Sequence, residues 1–547
     1  MPRAMISGPG HATGSTGSLS VSALISAEAA MREKMTAKAA AKLDLHNFTP
    51  LPPARNGIAD YAYKLMDELR ALRRCVVYCD DVLASAPQGV DVRDEAQAFR
   101  YVGPHTPILH QIGNNGGHIF VLEALRRHGG IVSLHDLSLL YLYELSSPRL
   151  EPILAGMQQQ DPALGALYGR QWKENRLKTA ANYVLFDMVG EILSLADGVI
   201  VHSRYAMNKL RAGYGPAAAA KCTVIPHFAP VLAITSAEEA RQRLSLPPDE
   251  RIVLTSGFAT RSKRFDWLLE ALETLLQDGV ALRWIHAGEE RPDEYPLREE
   301  LAKHPRLRDV ATITGYVSEA ELDAYIAAAD LVVNLRFPSV GESSGTLARA
   351  FSAGRCCIVN DTAAYAEIPR EAVVHIPIFD TVPALVRAME ALLHDGELRT
   401  LFGDRARHYA GSTLAMRHIA KSYSDFIDAT HARTQAAGRQ AAERHASPPA
   451  PVRVEIDGAD ALEPADLRRR LSGIEGPFEA LFWFDSADDI ARYSLDKPGF
   501  LQGAFGPHVT IDTVRFRSRP AARGRRVAPG GGSAVGLSVL GRAYGWQ

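Results

Sequence analysis

Short apolar runs alternate along most of this chain with stretches whose apolar residues recur every three or four positions. The runs 131–134 and 252–256 are rich in branched residues and too short for helices, so they predict buried strands. The leucines between 268 and 276 keep helical spacing and predict an amphipathic helix. A regular alternation of strands and helices is typical of a doubly wound parallel sheet, so we predict an α/β fold.

The alternation starts again near Arg251, which predicts two Rossmann-like domains. We expect the first domain at 43–240 and the second at 250–404, followed by a helix at 405–430. Residues 1–42, rich in small and polar residues, predict a disordered leader. The remaining predicted segments are a linker at 431–452, a small α+β appendage at 453–516 without a recognised function, and a disordered basic and glycine-rich tail at 517–547.

Composition excludes several classes of protein. The chain has 547 residues, of which 46% are hydrophobic, and none of its apolar runs approaches the roughly 18 residues that span a bilayer. The 61 basic and 63 acidic residues nearly cancel, so we expect no nucleic-acid partner. The five cysteines are scattered, which is typical of a reducing cytosol. The sequence has neither a zinc-ligand spacing nor an Asp-X-Asp motif, so we predict no metal.

The run 338–354 carries the main candidate chemistry. It lies between two short apolar runs and predicts a loop that becomes a helix, with Ser343 and Ser344 placed to cap the first turn. The unpaired N–H groups of such a turn form an anion site. Glu342 would repel a phosphate unless it contacts hydroxyl groups attached to that phosphate, which suggests a sugar nucleotide. The alternative is an ordinary crossover loop in which the glycine and serines only turn the chain.

The same run resembles the donor loop of the retaining, family-4 type glycosyltransferases (glycosyl transferases group 1), which have the GT-B fold. Glu342, Gly345 and the segment 350–354 match that loop, although the register is one residue short and Arg349 stands where a second glutamate is usual. The resemblance covers about residues 44–430. It implies two Rossmann-like domains facing across a cleft, with the last helix crossing back to the first domain.

The resemblance also assigns roles to residues outside this loop. Gly57 would let the backbone approach the donor phosphates, and His135 would face the donor sugar across the cleft. Lys263 would bind the diphosphate, while Phe258 replaces the arginine that usually follows Gly257, so that Arg261 or Arg264 supplies this charge. The predicted catalytic residues are His135, Lys263 and Glu342, and the predicted donor-binding residues are Gly57, Gly257, Arg261, Arg264, Tyr316, Val317, Ser343, Ser344, Gly345 and Arg349.

The activity implied by the resemblance is retaining transfer of a hexosyl group from a nucleotide sugar to a glycan or lipid-linked acceptor in polysaccharide biosynthesis. Lys263 and the N–H groups near Ser343 would stabilise the departing diphosphate. The resemblance therefore implies no cofactor other than the nucleotide-diphosphate sugar, which is a co-substrate. We expect a cytoplasmic enzyme, and peripheral contact with the inner membrane face is left open.

Two alternatives also remain open. The departures at Phe258 and Arg349 favour a catalytically silent GT-B scaffold that binds a nucleotide or a glycan. A phosphorylase or epimerase of the same fold is a third hypothesis, and a phosphorylase would carry pyridoxal phosphate on a lysine. These motifs leave the donor base, the sugar, the acceptor and the linkage open.

Overall fold

The computed structural model describes residues 43–444 apart from 55, 82, 104, 148 and 235, and the backbone of three later strands. The chain divides into two compact units after Gln435. The first unit contains two Rossmann-like domains, each built on its own parallel sheet.

The N-terminal domain is built on seven parallel strands within the described residues. They are β1 (Leu45–Phe48), β2 (Cys75–Cys79), β3 (Asp91–Asp94), β4 (Ile108–Ile112), β5 (Ile131–Leu134), β6 (Gly198–Val201) and β7 (Cys222–Val224). The helices are α1 (Gly57–Leu69), α2 (Ile119–His128), α3 (Leu140–Ser146), α4 (Glu151–Gln160), α5 (Pro162–Asn175), α6 (Ala180–Leu185), α7 (Gly190–Leu195) and α8 (Arg204–Ala219). The strand order is β3-β2-β1-β4-β5-β6-β7. Strands are therefore added on one side of β1 up to β3 and on the other side from β4 onward, so the strand order reverses between β1 and β4.

The C-terminal domain, which we call the donor domain, repeats this plan with six strands among the described residues. They are β8 (Ile252–Ser256), β9 (Arg283–Ala287), β10 (Ala311–Ile313), β11 (Leu331–Asn334), β12 (Cys356–Asn360) and β13 (Val374–Ile376). Its helices are α9 (Ala237–Arg243), α10 (Phe265–Gln277), α11 (Leu297–Leu301), α12 (Pro305–Arg308), α13 (Glu319–Ala328), α14 (Gly345–Ser352), α15 (Thr381–His394) and α16 (Gly396–Ser412). The order β10-β9-β8-β11-β12-β13 reverses between β8 and β11.

Burial explains why these segments form strands and helices. The central strands β1, β5, β11 and β12 are buried along their whole length, as expected for a parallel sheet covered by helices on both faces. In α10 the leucines Leu268, Leu269, Leu272 and Leu275 are buried in the donor-domain core. Ligands bind at the carboxyl ends of the strands beside a reversal of strand order, so each domain has its candidate edge there.

The last helix, α17 (Met416–Arg444), packs its first half on the N-terminal domain. Ile419, Tyr423 and Ile427 are buried in the same core as Leu45 and Leu65. The donor domain is therefore an insertion between β7 and α17. The two connecting segments meet where the N–H of Ala229 donates to the carbonyl of Leu414 over 2.9 Å.

The second unit contains three parallel strands in the order β14-β15-β16. They are β14 (Val452–Asp457), β15 (Phe478–Phe484) and β16 (Ile511–Ser518), which overlap the predicted appendage at 453–516. The predicted domain boundaries at 240 and 404 fall inside helices α9 and α16, and two later boundaries also differ from the structure. Helix α17 continues to Arg444, because the Ala- and Gln-rich composition that suggested a linker also has high helix propensity. Residues 517–518, placed in the disordered tail, belong to β16.

The predicted fold class is confirmed, since both domains are doubly wound parallel α/β sheets. The leader at 1–42 and the tail beyond residue 518 lie outside the described residues. The described helices include none long and apolar enough to cross a membrane.

Candidate functional site

A cleft of about 1760 Å³ separates the facing edges of the two domains. The N-terminal wall includes Gly57 at the start of α1 and Asp136 after β5. The donor-domain wall includes Lys263 after β8 and Glu342 after β11. These residues come from strand–helix connections of both sheets, so the fold brings together groups more than 200 positions apart in the chain.

The Glu342 carboxylate is folded back onto its own loop. Its Oε2 atom accepts hydrogen bonds from the N–H groups of Val340 (2.9 Å) and Gly341 (3.1 Å) and from the Ser339 hydroxyl (3.0 Å). Its Oε1 atom lies 3.1 Å from Nε of Arg336. Glu342 thus occupies an anion-binding turn that its own loop provides.

Helix α14 starts directly after this loop, as the sequence predicts. The Ser344 hydroxyl accepts from the N–H of Leu347 (3.2 Å) and donates to Oδ1 of Asn334 (3.2 Å), which fixes the helix start to the end of β11. Ser343, Ser344 and Gly345 all line the cleft. The first turn of α14 therefore directs its N–H groups and the positive end of its dipole toward the cleft.

Lys263 lies in the wall of the cleft at the end of a short 3-10 turn. Its ammonium group donates to the carbonyl of Ser256 over 2.7 Å. Burial, together with the positive charge of Arg336, lowers the pKa of Lys263 well below its usual value. An anion bound in the cleft would reverse this effect, because it stabilises the charged form of the lysine.

Gly257 is required by the position of Lys263. Its φ is +78°, a conformation that residues with a side chain rarely adopt, and a Cβ atom there would lie 2.8 Å from Nζ of Lys263. Any larger residue at 257 would push the ammonium group out of its place. Gly257 thus makes room for the ammonium group of Lys263 in the cleft wall.

The two arginines of this loop have different surroundings, although both line the cleft. Arg264 forms an ion pair with Asp266 (Nε to Oδ1, 2.9 Å), and its guanidinium lies 3.6 Å from the ring centre of Trp267. Arg261 is exposed and forms no side-chain hydrogen bond or ion pair in the described part of the chain. Of the two, Arg261 is therefore the cation with charge available for a ligand.

Arg349 lines the cleft, but its charge is neutralised by carboxylates of α13. It is 8% exposed, and its Nη1 atom lies 2.6 Å from Oδ1 of Asp323, while Nη2 contacts Glu319. Glu319 also binds Lys64 of the N-terminal domain. The position where a ribose-binding glutamate was expected thus holds one end of an ion-pair network, and its contact with the donor stays a prediction.

His135 is held in a hydrogen-bond chain, and it does not line the cleft, whereas Asp136 does. Nδ1 of His202 lies 2.9 Å from the carbonyl of Ile225, and Nε2 of His202 lies 3.2 Å from Nδ1 of His135. The other ring nitrogen of His135, Nε2, lies 2.7 Å from Oε1 of Gln111, which completes the chain. Contact between His135 and the donor sugar, as predicted, would require the ring to leave this chain.

Burial lowers the pKa of His135 well below its usual value, and His202 and His227 act in the same direction. The imidazole is therefore neutral at pH 7. Burial raises the pKa of Asp136 to about 6. The hydrogen bond that Asp136 accepts from the N–H of Asn114 (2.8 Å) acts in the opposite direction and lowers this pKa.

Gly57, Tyr316 and Val317 are all found in the cleft wall. Gly57 opens α1, whose start is capped by Asn56 through hydrogen bonds from the N–H groups of Ile58 (3.0 Å) and Ala59 (2.8 Å). Tyr316 is 53% exposed. The predicted roles of these residues in donor binding stay predictions.

Sequence reasoning assigned no role to several charged residues of the cleft wall, among them Asp60 and Arg336. Burial, and then the charge of Glu319, raises the pKa of Asp60 to about 6. Asp60 lies in the first turn of α1, where a carboxylate is common for helix stability alone, so its position gave no separate signal. Arg336 did give one, since it is a charged residue at the carboxyl end of a buried strand.

The comparisons with known proteins agree with this geometry. Residues 249–395 match the family model described as glycosyl transferases group 1. The matched residues include the Lys263 loop, Glu342 and the start of α14.

One curated relative is alpha-D-kanosaminyltransferase of Streptomyces kanamyceticus, which is 30% identical over 173 residues. The match covers 31% of this chain and 42% of that protein, so the chain spans about two fifths of the length of this relative.

Solved structures share the fold. Sucrose-phosphate synthase from Thermosynechococcus elongatus superimposes with a TM-score of 0.52 at 19% identity, covering 72% of this chain and all of that one. The Anabaena protein HepE in complex with UDP gives a TM-score of 0.50 at 13% identity, covering 71% of this chain and all of that one. The arrangement of two Rossmann-like domains is thus the GT-B arrangement that the sequence predicted.

Proposed function

We propose that this protein is a nucleotide-sugar-dependent glycosyltransferase that retains the anomeric configuration of the transferred hexosyl group. The observation that carries the proposal is that Lys263 and the start of α14 open into one cleft with the N-terminal wall. A buried cation and a helix N-terminus together favour a diphosphate. The family match over residues 249–395 supports the same reaction class.

In this proposal the protein acts mainly by stabilising charge on the leaving group. As the bond between sugar and diphosphate breaks, negative charge grows on the diphosphate, and Lys263 and the N–H groups near Ser343 are already directed toward it. Preorganised donors of this kind typically contribute about 10²-fold or more to the rate each. Glu342 would orient sugar hydroxyls after its carboxylate leaves the amides of its own loop.

The acceptor would bind against the N-terminal wall. Tyr141, Tyr183 and Val184 line the cleft there, and aromatic and apolar surfaces suit the faces of sugar rings. We propose a glycan or lipid-linked acceptor, used in polysaccharide synthesis on the cytoplasmic side of the membrane. UDP is the first nucleotide to test, since the HepE neighbours were solved with UDP and with UDP-glucose.

The test is release of free nucleoside diphosphate from a panel of UDP, GDP, dTDP and ADP sugars, with and without oligosaccharide acceptors. Lys263→Ala and Glu342→Ala should each lower turnover by about 10²-fold or more while the fold stays intact. Glu342→Ala should also lower the melting temperature, because it leaves Arg336 without its ion-pair partner. Activity near the original level in both variants would contradict the site.

A second candidate is a silent GT-B scaffold. It is favoured by the neutralised Arg349 and by Glu342, which is bound to its own loop. A scaffold would bind nucleoside diphosphates in a thermal-shift screen and release none from any sugar of the panel. Release of free diphosphate that depends on Lys263 would exclude it.

A further inference from the structure

We propose that Arg336 is a second diphosphate-binding cation of the donor site, paired with Lys263 across the start of α14. This inference rests on the proposed function and names a contact within the same cleft. Arg336 is the second residue after the end of β11, at the edge of the sheet where the strand order reverses. The N–H of Arg336 donates to Oδ1 of Asn360 over 2.8 Å, which holds the backbone of this residue against β12.

The Arg336 side chain is largely buried yet incompletely paired. Only 13% of it is exposed, Nε contacts Oε1 of Glu342, and the Tyr365 hydroxyl interacts with the guanidinium. The Nη1 atom is nevertheless buried without a hydrogen bond of the usual geometry within the described residues. A buried guanidinium N–H without a partner is costly, and such groups in native proteins usually indicate a ligand or an ordered water. Because Arg336 lines the cleft, a ligand there can supply the acceptor.

Arg336 and Lys263 act on each other directly. After burial, the positive charge of Arg336 is the largest cause that lowers the pKa of Lys263. The two segments are also joined, since the N–H of Phe337 donates to the carbonyl of Ser262 over 2.8 Å. A diphosphate, with two or three negative charges, can contact both of these buried cations and stabilise their charged forms.

Two residues near Lys263, Phe258 and Arg264, do not provide the same charge, whereas Arg261 is an exposed cation of the same loop. Phe258, in the loop after β8, is uncharged and lies under the guanidinium of Arg291 at 3.9 Å from its ring centre. Arg264 is already paired with Asp266. A planar guanidinium also suits a diphosphate better than an ammonium group, because its fork binds two oxygens at once.

The ion pair with Glu342 gives Arg336 a second effect. A diphosphate bound to Arg336 competes with Oε1 of Glu342, so it weakens the contact that holds this carboxylate against its loop. Glu342 is then released toward the sugar attached to the same diphosphate. Arg336 therefore couples binding of the diphosphate to placement of the carboxylate.

The experiment compares binding of UDP, UMP and uridine by isothermal titration calorimetry, after a screen of UDP, GDP, dTDP and ADP has shown which base binds best. If another base binds better, its own series is used. We expect Arg336→Gln to weaken diphosphate binding at least ~10-fold and to leave nucleoside binding unchanged, because only the phosphates contact the guanidinium. Arg283→Gln is the matched control, since it removes a charge in the same domain where Arg283 pairs with Glu250 outside the cleft.

The outcomes separate this inference from the proposed function. If the unchanged protein binds none of the four diphosphates, the proposed function fails. If it binds one, and Arg336→Gln binds it equally well, the function stands and the role of Arg336 is wrong. Adding Phe258→Arg to Arg336→Gln should recover part of the lost affinity, since position 258 lies in the same wall.

A second measurement covers the case in which Arg336→Gln does not fold. A crystal structure of the unchanged protein with the bound diphosphate should place a guanidinium nitrogen of Arg336 about 2.7–2.9 Å from a phosphate oxygen. Arg336 still paired only with Glu342, and out of contact with the phosphates, would overturn the proposal.

Discussion

The ammonium group of Lys64 in the N-terminal domain lies 2.7 Å from Oε1 and 2.9 Å from Oε2 of Glu319 in the donor domain. This ion pair joins α1 to α13 beside the cleft. Arg349 contacts the same carboxylate of Glu319 and also binds Asp323, so four charged residues form one network between the domains. The network thus joins the two domains beside the cleft, and three of its members, Lys64, Glu319 and Arg349, also line it.

The network predicts unequal effects of its two cations on stability. Arg349→Met should lower the free energy of unfolding by about 3–5 kcal/mol, because Asp323 is largely buried and would lose its partner. Lys64→Met should cost about 1 kcal/mol or less, because its partner Glu319 is half exposed. Urea unfolding of both variants measures this. Equal costs would show that the network is not organised around Arg349.

The lowered pKa of Lys263 predicts that donor binding takes up protons. A diphosphate beside the ammonium group raises this pKa again, so affinity should fall as pH rises through the range between the two values. Calorimetry with UDP at about pH 8, above the phosphate pKa of roughly 6, should give heats that depend on the ionisation enthalpy of the buffer. Lys263→Met is the control and should bind more weakly without this dependence. Heats that are equal in all buffers for the unchanged protein would contradict the prediction.

A chain of three buried hydroxyl groups joins α17 to the N-terminal domain and predicts how much stability is lost when one of them is removed. The Tyr423 hydroxyl lies 3.0 Å from that of Tyr61 and 2.7 Å from that of Ser133. Tyr423→Phe should cost about 1–3 kcal/mol of stability, because it leaves two buried hydroxyls without this partner. Ser133→Ala and the double variant complete a thermodynamic cycle, in which the costs should not add. Strict additivity would mean that the hydroxyls do not interact.

Asp136 predicts a dependence of stability on pH. Its pKa is about 6 in the folded protein against 3.8 as the ordinary value, so its contribution is most favourable below pH 3.8 and is lost as pH rises through 6. Asp136→Asn removes this loss. The free energy of unfolding of the variant minus that of the unchanged protein should therefore increase by about 1 kcal/mol or more from pH 5 to pH 7. Melting curves across this range test it, and a difference that stays constant with pH would refute it.

The fold could be predicted from the sequence because the signals were local. Parallel strands buried on both faces appear as short apolar runs, and the crossover helices appear as leucines at helical spacing. The donor loop was also local, since Glu342, Ser344 and the start of α14 follow each other in the chain.

The side-chain partners could not be predicted, because they depend on residues far apart in sequence. Nothing near Arg349 in the chain indicates that Asp323 and Glu319 neutralise it. Likewise, His135 looked free at a strand end, but His202 and Gln111 occupy both of its ring nitrogens. The end of α17 was missed for a different reason, since the same composition suits a linker and a helix.

The double connection between the domains limits how they can move. Ala229 and Ala415 lie side by side in a parallel bridge, so the chain enters and leaves the donor domain at one place. Two adjacent connecting segments can bend together about one axis, but they resist rotation of the domains about the other axes. Opening of the cleft is therefore a swing of the whole donor domain, which carries Lys263, Arg336 and Glu342 together and keeps their mutual spacing.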